Sequence, residues 1–508
     1  MLAKLHSVTL EGIEGRICEV EVHISRGGFE KSLIVGLPDT AVKESIERVQ
    51  SAITNSGFSY PKTKCVINLA PADVKKAGPA FDLPIALGVL LSTNAIESSI
   101  AKDFIIVGEL ALDGRVRAVN GVLSMAIAAR ANGFKSMIVP LENVREAAVV
   151  EDLEVYGVGA LMQAAAFLAG KLALESTYVD IEKVLEEASI YEADFADVKG
   201  QETVKRALTI AAAGGHNILM IGPPGAGKTM LAQRLATILP KLTLTESLET
   251  TRVYSSVGQL DGKSLMAIRP VRMPHHTATG AALVGGGSNP RCGELSLAHN
   301  GILFLDEFAE FPRHVLEMIR QPLEEKKVTV SRAKGSISFP ANFMLVSATN
   351  PCPCGYFGSG QKKCKCTPNQ IERYMAKISG PMLDRIDIHI DVPSVTFSKL
   401  RSKDESVSSA EIREVVIAAR DMQRKRFGEK KTTTNATMTH RQVTKFCAMD
   451  EAAEMVLKNA MVEFGLSARA HDKICKVART IADLDEKENV SAEHIAEAVS
   501  YRKLDRAL

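Results

Sequence analysis

Residues 218–229 read Ile-Leu-Met-Ile-Gly-Pro-Pro-Gly-Ala-Gly-Lys-Thr: an apolar run, a glycine-rich turn, then a helix start. The apolar run is short enough for a buried strand. After it, Leu231, Leu235, Ile238 and Leu239 recur at helical spacing. A strand that turns through glycines into a helix points backbone N–H groups inward, where they can cradle phosphates. The loop Gly222, Pro223, Pro224, Gly225, Ala226, Gly227 and the residues Lys228, Thr229 and Met230 that follow form a complete Walker A motif. Lys228 can reach β- and γ-phosphates, and the Thr229 hydroxyl can ligate Mg²⁺. The pattern requires an α/β core with a strand leading into the loop.

At 508 residues the chain is long enough for two to four domains. Its first residues carry no apolar signal-peptide core. The longest apolar run, 83–91, contains Pro84 and is too short to span a bilayer. A cytoplasmic protein without a membrane partner is expected. The formal net charge is +2, so a polyanion would be held by local basic elements, not by the field of the whole molecule. Nine cysteines, an odd number and mostly scattered, do not form a secreted disulfide framework.

Three blocks follow from the patterning. Residues 1–170 alternate strand-like runs (7–24, 31–35, 65–69, 104–107, 137–139) with helical ones (39–56, 82–91, 121–132). Asp39 is placed to cap the first helix. A charged helical connector is expected over 171–194, and the Walker A block over 195–400. Residues 401–508 read as helical, with amphipathic runs at 410–426, 451–463, 468–483 and 491–504.

Within the second block, Gly301-Ile302-Leu303-Phe304-Leu305-Asp306-Glu307 is an apolar strand ending in two acids, a Walker B pattern. Asp306 would hold Mg²⁺ through water and Glu307 would polarise the attacking water. A third apolar strand, 343–348, ends at Thr349-Asn350. Asn350 either orients the lytic water or is a turn residue before Pro351. Arg385 and Arg469 carry the guanidinium suited to phosphoryl charge. Either could equally be a surface arginine.

Cys352, Cys354, Cys364 and Cys366 make a C-x-C, nine-residue, C-x-C cluster. Four thiolates can close a tetrahedral structural Zn²⁺ site; four reduced thiols in a Gly/Lys-rich loop is the other reading. Residues 326–339 read as a β-hairpin with Gly335 near its turn, and Arg332 and Lys334 near the tip. These two, with Lys263, Arg269 and Arg272 upstream, are candidate DNA phosphate contacts.

The order of motifs resembles an AAA+ ATPase of the magnesium-chelatase-like group. The segments 269–277, 283–287, 293–301, 379–385 and 478–484 resemble the bacterial ComM (YifB) family over essentially the whole chain. The resemblance implies an α/β fold in three parts: an N-terminal Lon-protease/ribosomal-S5-like domain, a central AAA+ P-loop αβα sandwich with a helix-2 insert and pre-sensor hairpin, and a C-terminal helical lid. It implies that Asn350 is sensor 1, Arg385 a finger reaching the neighbouring subunit's nucleotide, and Arg469 sensor 2. It also implies a homo-oligomeric ring, hexameric, whose hairpin enters the pore. Residues 75–83 and 108–116 carry the Lon likeness. There the nucleophile's place holds Ala80 and the activating lysine's place holds Leu123, so peptidase chemistry is not expected. Lys75, Lys76, Arg115 and Arg117 read as a solvated basic face that could touch phosphates. The implied function is an ATP- and Mg²⁺-dependent DNA motor, a helicase that migrates branches of recombination intermediates in natural transformation. The alternative is a chelatase-type ATPase that remodels a protein partner.

Overall fold

The computed structural model describes residues 2–25, 31–187, 191, 193–287, 290–332, 335–360, 362–395, 407–428, 434–502 and 504. It divides into two compact units. The first comprises 1–188 with 243–267 and 331–339; the second comprises 189–242, 268–330 and 340–508. Residues 243–267 of the insert and 331–339 of the hairpin were expected inside the central block. By spatial contact they group with the first block instead.

The first unit is built on a seven-stranded mixed sheet. Its strands are β1 (Leu2–Glu11), β2 (Glu14–Ile24), β3 (Lys31–Val35), β4 (Lys64–Ala70) and β5 (Phe104–Ile106), with a two-stranded ribbon of β6 (Glu109–Leu110) and β7 (Val116–Arg117) beside it, then β8 (Ser136–Pro140) and β9 (Glu154–Val158). The sheet order is β3-β4-β2-β1-β5-β8-β9. Alternation decides the two faces. Leu5, Ile106 and Ile138 enter one apolar cluster with the helices Thr40–Asn55 and Asp82–Ser92, while Val8, Ile105, Met137 and Val139 enter another with the helix Val122–Ala131. Asp39 caps its helix as expected, accepting from the Val42 N–H at 2.9 Å.

Ala80 and Leu123 are both buried, and both lie in that second cluster. Where a serine–lysine dyad would stand, two apolar side chains pack into one core. Lys76 departs from the expected solvated face. It is fully buried, donates to the Pro71 carbonyl, and burial pushes its ammonium below the ordinary lysine value. Lys75 is exposed. Arg115 pairs with Asp113 at 2.7 Å and Arg117 with Glu109 at 3.7 Å.

The connector is less helical than expected. Among its described residues only Ile181–Glu187 is helical. The Thr177 N–H instead bonds the Val155 carbonyl on β9 at 2.9 Å, which holds the preceding residues extended.

The second unit carries a five-stranded parallel sheet of β10 (Ile218–Ile221), β11 (Val271–Arg272), β14 (Ile302–Leu305), β17 (Met344–Thr349) and β18 (Ile388–Asp391), in the order β11-β14-β17-β10-β18. The ribbon β12 (Gly285–Gly286) and β13 (Arg291–Cys292) lies outside it. β10, β14 and β17 are buried along their whole length. That explains their unbroken apolar runs, because a parallel strand is covered on both faces. Each such Leu or Ile contributes about 1.5–3 kcal/mol by leaving water. One core joins these strands to the helices Ser409–Phe427, Ala468–Leu484 and Ala492–Ser500, so the expected lid shares its hydrophobic core with the ATPase block. The last run is shorter than expected, and Ser491 with His494 forms its capping box. Hairpin strands β15 (Lys327–Arg332) and β16 (Gly335–Pro340) pair with each other. Among the described residues, no helix is long and apolar enough to cross a membrane.

Candidate nucleotide site

Because all five strands run parallel, their carboxyl ends share one edge. β10 has β17 on one side and β18 on the other, so the order of connections reverses around it, and a crevice opens at that edge. The Walker A loop leaves β10 there, the Walker B acids leave β14, and Asn350 leaves β17. Sequence reasoning names these residues separately; parallel register brings them together.

Gly222 sits so close to the backbone beyond β18 that a Cβ would lie 2.3 Å from the Val392 carbonyl oxygen. Gly225 and Gly227 have φ of +77° and +85°, the left-handed region that favours glycine, and a Cβ on Gly225 would meet only open space. Lys228 is buried. Its ammonium donates to the carbonyls of Gly222 and Pro223 at 2.6 and 3.1 Å and to Asn350 Oδ1 at 3.2 Å. Burial lowers its pKa, against the opposing pull of Asp306 and Glu307. The Thr229 hydroxyl donates to Asp306 Oδ2 at 2.7 Å. A buried ammonium, an open glycine turn and an adjacent hydroxyl–carboxylate pair fit a nucleotide triphosphate with Mg²⁺ on Thr229 and Asp306. Met230 packs on the core behind the loop.

Glu307 holds φ +51°, a conformation uncommon for a non-glycine residue. Its N–H donates to Asp306 Oδ1 at 2.9 Å, and its carboxylate meets His276 Nδ1 at 3.0 Å. His276 stacks on His275, with ring centroids 4.1 Å apart. Its contact with Glu307 is a feature sequence reasoning missed. The only signal was a paired histidine in a long interval between two motifs.

Among the described residues, neither Arg385 nor Arg469 pairs with a Walker residue. Arg385 pairs with Glu324 at 2.6 Å and donates to the Pro381 carbonyl, while its Nε is buried without a partner. Arg469, largely exposed, lies 3.6 Å from Asp384, the neighbour of Arg385.

The other candidates scatter. Arg269 donates to the carbonyls of Pro240 and Asn300, both at 2.7 Å. Arg272 makes a two-pronged pair with Glu294 at 2.7 and 2.8 Å. Expected as DNA contacts, these two instead tie their own domain together, and their donors are occupied inside it. Lys263 is exposed. Lys334 and the Arg332 side chain lie outside the described residues. Cys352, Cys354, Cys364 and Cys366 do converge, their sulfurs all within 4.8 Å of one another.

A P-loop and a Walker B pair meeting a polar residue at the tip of a third parallel strand, with the helices sharing its core, define a magnesium-chelatase-like AAA+ ATPase. Family models agree: magnesium chelatase subunit ChlI matches 194–400, subunit ChlI of Mg-chelatase matches 20–143, and the ChlI C-terminal model matches 406–502. The chain is 42% identical to competence protein ComM of Haemophilus influenzae over 511 residues, covering 100% of this chain and 98% of that one. It is 43% identical to the YifB protein of Salmonella typhimurium over 510 residues, with the same coverage. A more distant likeness, 27% over 181 residues, links 31% of this chain to 33% of Lon protease 2 of Bacillus subtilis. The chain belongs to the ComM/YifB family.

Proposed function

We propose that the protein is a cytoplasmic ATP-driven DNA motor that assembles as a ring, hexameric by family resemblance, and migrates branches of recombination intermediates during integration of incoming DNA in natural transformation. The carrying observation is the convergence of Lys228, Thr229, Asp306, Glu307 and Asn350 at one sheet edge, while Arg385 is held elsewhere with an unpaired buried donor. The loop N–H groups seat the phosphates. Lys228 exchanges its carbonyl partners for phosphate oxygens. Glu307 takes the proton of the attacking water and Asn350 orients it. Mg²⁺, when bound, neutralises charge on the β- and γ-oxygens. A second copy supplies Arg385, released from Glu324, to the developing charge. Arg469, beside Asp384, is the sensor 2 arginine of the helical lid. Lys263, Arg332 and Lys334 are the proposed DNA grip. The competence name of the Haemophilus influenzae relative supports this setting.

The test is ATP hydrolysis with single-stranded, duplex and four-way DNA, and strand displacement by the wild-type chain against Glu307→Gln. Stimulation by branched DNA, with Glu307→Gln binding ATP and DNA yet moving nothing, is the expected result. No DNA binding and no stimulation would overturn the motor and leave the chelatase-type role on a protein partner, which the magnesium-chelatase family matches favour.

A further inference from the structure

After β17 the chain runs from Pro351 to Thr367 without a described strand or helix, until the helix Pro368–Met375 begins. An irregular loop of this length inside a compact unit needs something to hold it. Gly355, Gly358 and Gly360 take φ of +83°, +71° and +67° and turn it sharply. These turns bring its two C-x-C arms face to face.

The sulfur geometry is specific. Cys352 and Cys354 lie 3.4 Å apart, Cys354 and Cys364 3.6 Å, and Cys352 and Cys364 3.8 Å. All four sulfurs fall within 4.8 Å. Zinc–sulfur bonds of about 2.3 Å at tetrahedral angles set sulfur–sulfur separations of about 3.8 Å. A disulfide would need about 2.05 Å. Cys352 is buried and the other three are half-buried, so the centre is shielded. The Cys366 N–H points to Cys364 Sγ at 3.4 Å, the kind of outer contact that orients a thiolate ligand. The remaining five cysteines do not join the cluster.

The same loop touches the nucleotide site. A Cβ on Gly355 would lie 2.6 Å from Cδ of Pro224 in the Walker A loop and 3.9 Å from Cγ of Asn350. Phe357, Gly358 and Ser359 line a cavity of about 910 Å³ together with Gly222 and Pro223.

We propose that Cys352, Cys354, Cys364 and Cys366 hold one structural Zn²⁺, which clamps this loop against Pro224 and so keeps the Walker A loop in its binding shape. The metal site stands on the sulfur geometry alone; its coupling to ATP rests on the nucleotide-site reading.

The test uses the full-length chain, purified without chelator. Elemental analysis should find about one zinc per chain. Protein made in cobalt-supplemented medium should show the thiolate charge-transfer and d–d bands of a tetrahedral cobalt centre. Replacing Cys352 and Cys366 together by serine should remove the metal, whereas Cys292→Ser should retain it. Affinity for a fluorescent ATP analogue should fall about tenfold on metal loss, the size of a lost supporting contact. Wild-type chain free of zinc and silent with cobalt overturns the site, as does zinc retained in the double variant or iron in its place. Zinc present and removable with unchanged ATP affinity overturns the clamp but leaves the metal. Because the cobalt spectrum is read on the wild-type chain, a variant that fails to fold cannot hide the answer.

Discussion

Gly355 offers a clean perturbation of the Walker A loop from outside it. Replacing it by alanine imposes two costs. The left-handed backbone, φ +83°, costs an L-residue about 1–2 kcal/mol. The new methyl group would stand 2.6 Å from Pro224 Cδ and 3.0 Å from its Cγ, well inside contact distance. A proline ring cannot rotate away as a flexible side chain would. Pro224, and the phosphate-binding N–H groups beside it, must therefore shift, at an overpacking cost of about 1–3 kcal/mol. Gly358 supplies the control. It has φ +71° in the same loop, but a Cβ there meets nothing within 4 Å. Gly358→Ala thus pays the backbone term alone. The difference between the two variants, about 1–3 kcal/mol, corresponds to about 5- to 150-fold in ATP dissociation constant when the Walker A loop bears it. Titration with a fluorescent ATP analogue measures this, with the melting temperature of both variants followed in parallel. Equal affinities in Gly355→Ala and Gly358→Ala would refute the claim that this loop sets the Walker A shape.

Two further substitutions probe contacts that the fold created. His276→Ala removes the partner of the Glu307 carboxylate; kcat should drop about tenfold with ATP affinity unchanged, since a positioned base contributes at least that much. An unchanged kcat would make the contact incidental. Asp387→Asn should destabilise the second unit by about 3 kcal/mol in denaturant titration, because Lys473, 2.9 Å away, is left buried without a carboxylate, its ammonium keeping only the Ile386 carbonyl. Burial works to raise the Asp387 pKa, but Lys473 and His216 outweigh it and hold the carboxyl well below the usual range. Its contribution is therefore complete above the unfolded value of about 3.9 and disappears as pH falls through that value toward the folded one. A variant as stable as wild type at neutral pH, or an equal acid response in both, would remove Asp387 from this role.

The nucleotide site was legible because each part is local. β10, β14 and β17 announce themselves as short unbroken apolar runs, and each is followed closely by candidate site residues. The cysteine cluster was legible for the same reason, since fifteen consecutive positions contain all four thiols. What stayed hidden was pairing at a distance. Lys76 reads as a surface cation until the fold buries it. Arg269 and Arg272 look free until Pro240, Asn300 and Glu294 arrive beside them. His276 meets Glu307 across 31 positions, and Arg469 meets Asp384 across 85, so neither periodicity nor spacing could join them. Composition shows a side chain's type; only the folded chain shows its partner.

The first unit is discontinuous in sequence, and this sets an order on its synthesis. Within it, the Ser255 hydroxyl bonds the buried Glu146, Arg252 pairs with Glu14 at 2.7 Å, and Leu265 completes the cluster that holds Ala80 and Leu123. When residue 188 leaves the ribosome, none of these later groups exists. The unit waits roughly 150 further residues for its final segment, about 8–30 s at ordinary elongation rates. Until residues 243–267 emerge, the buried Glu146 keeps only the Leu123 N–H and the Asn143 amide as partners and the face that Leu265 covers stays open, so the nascent chain is a natural client for a chaperone that covers hydrophobic surface.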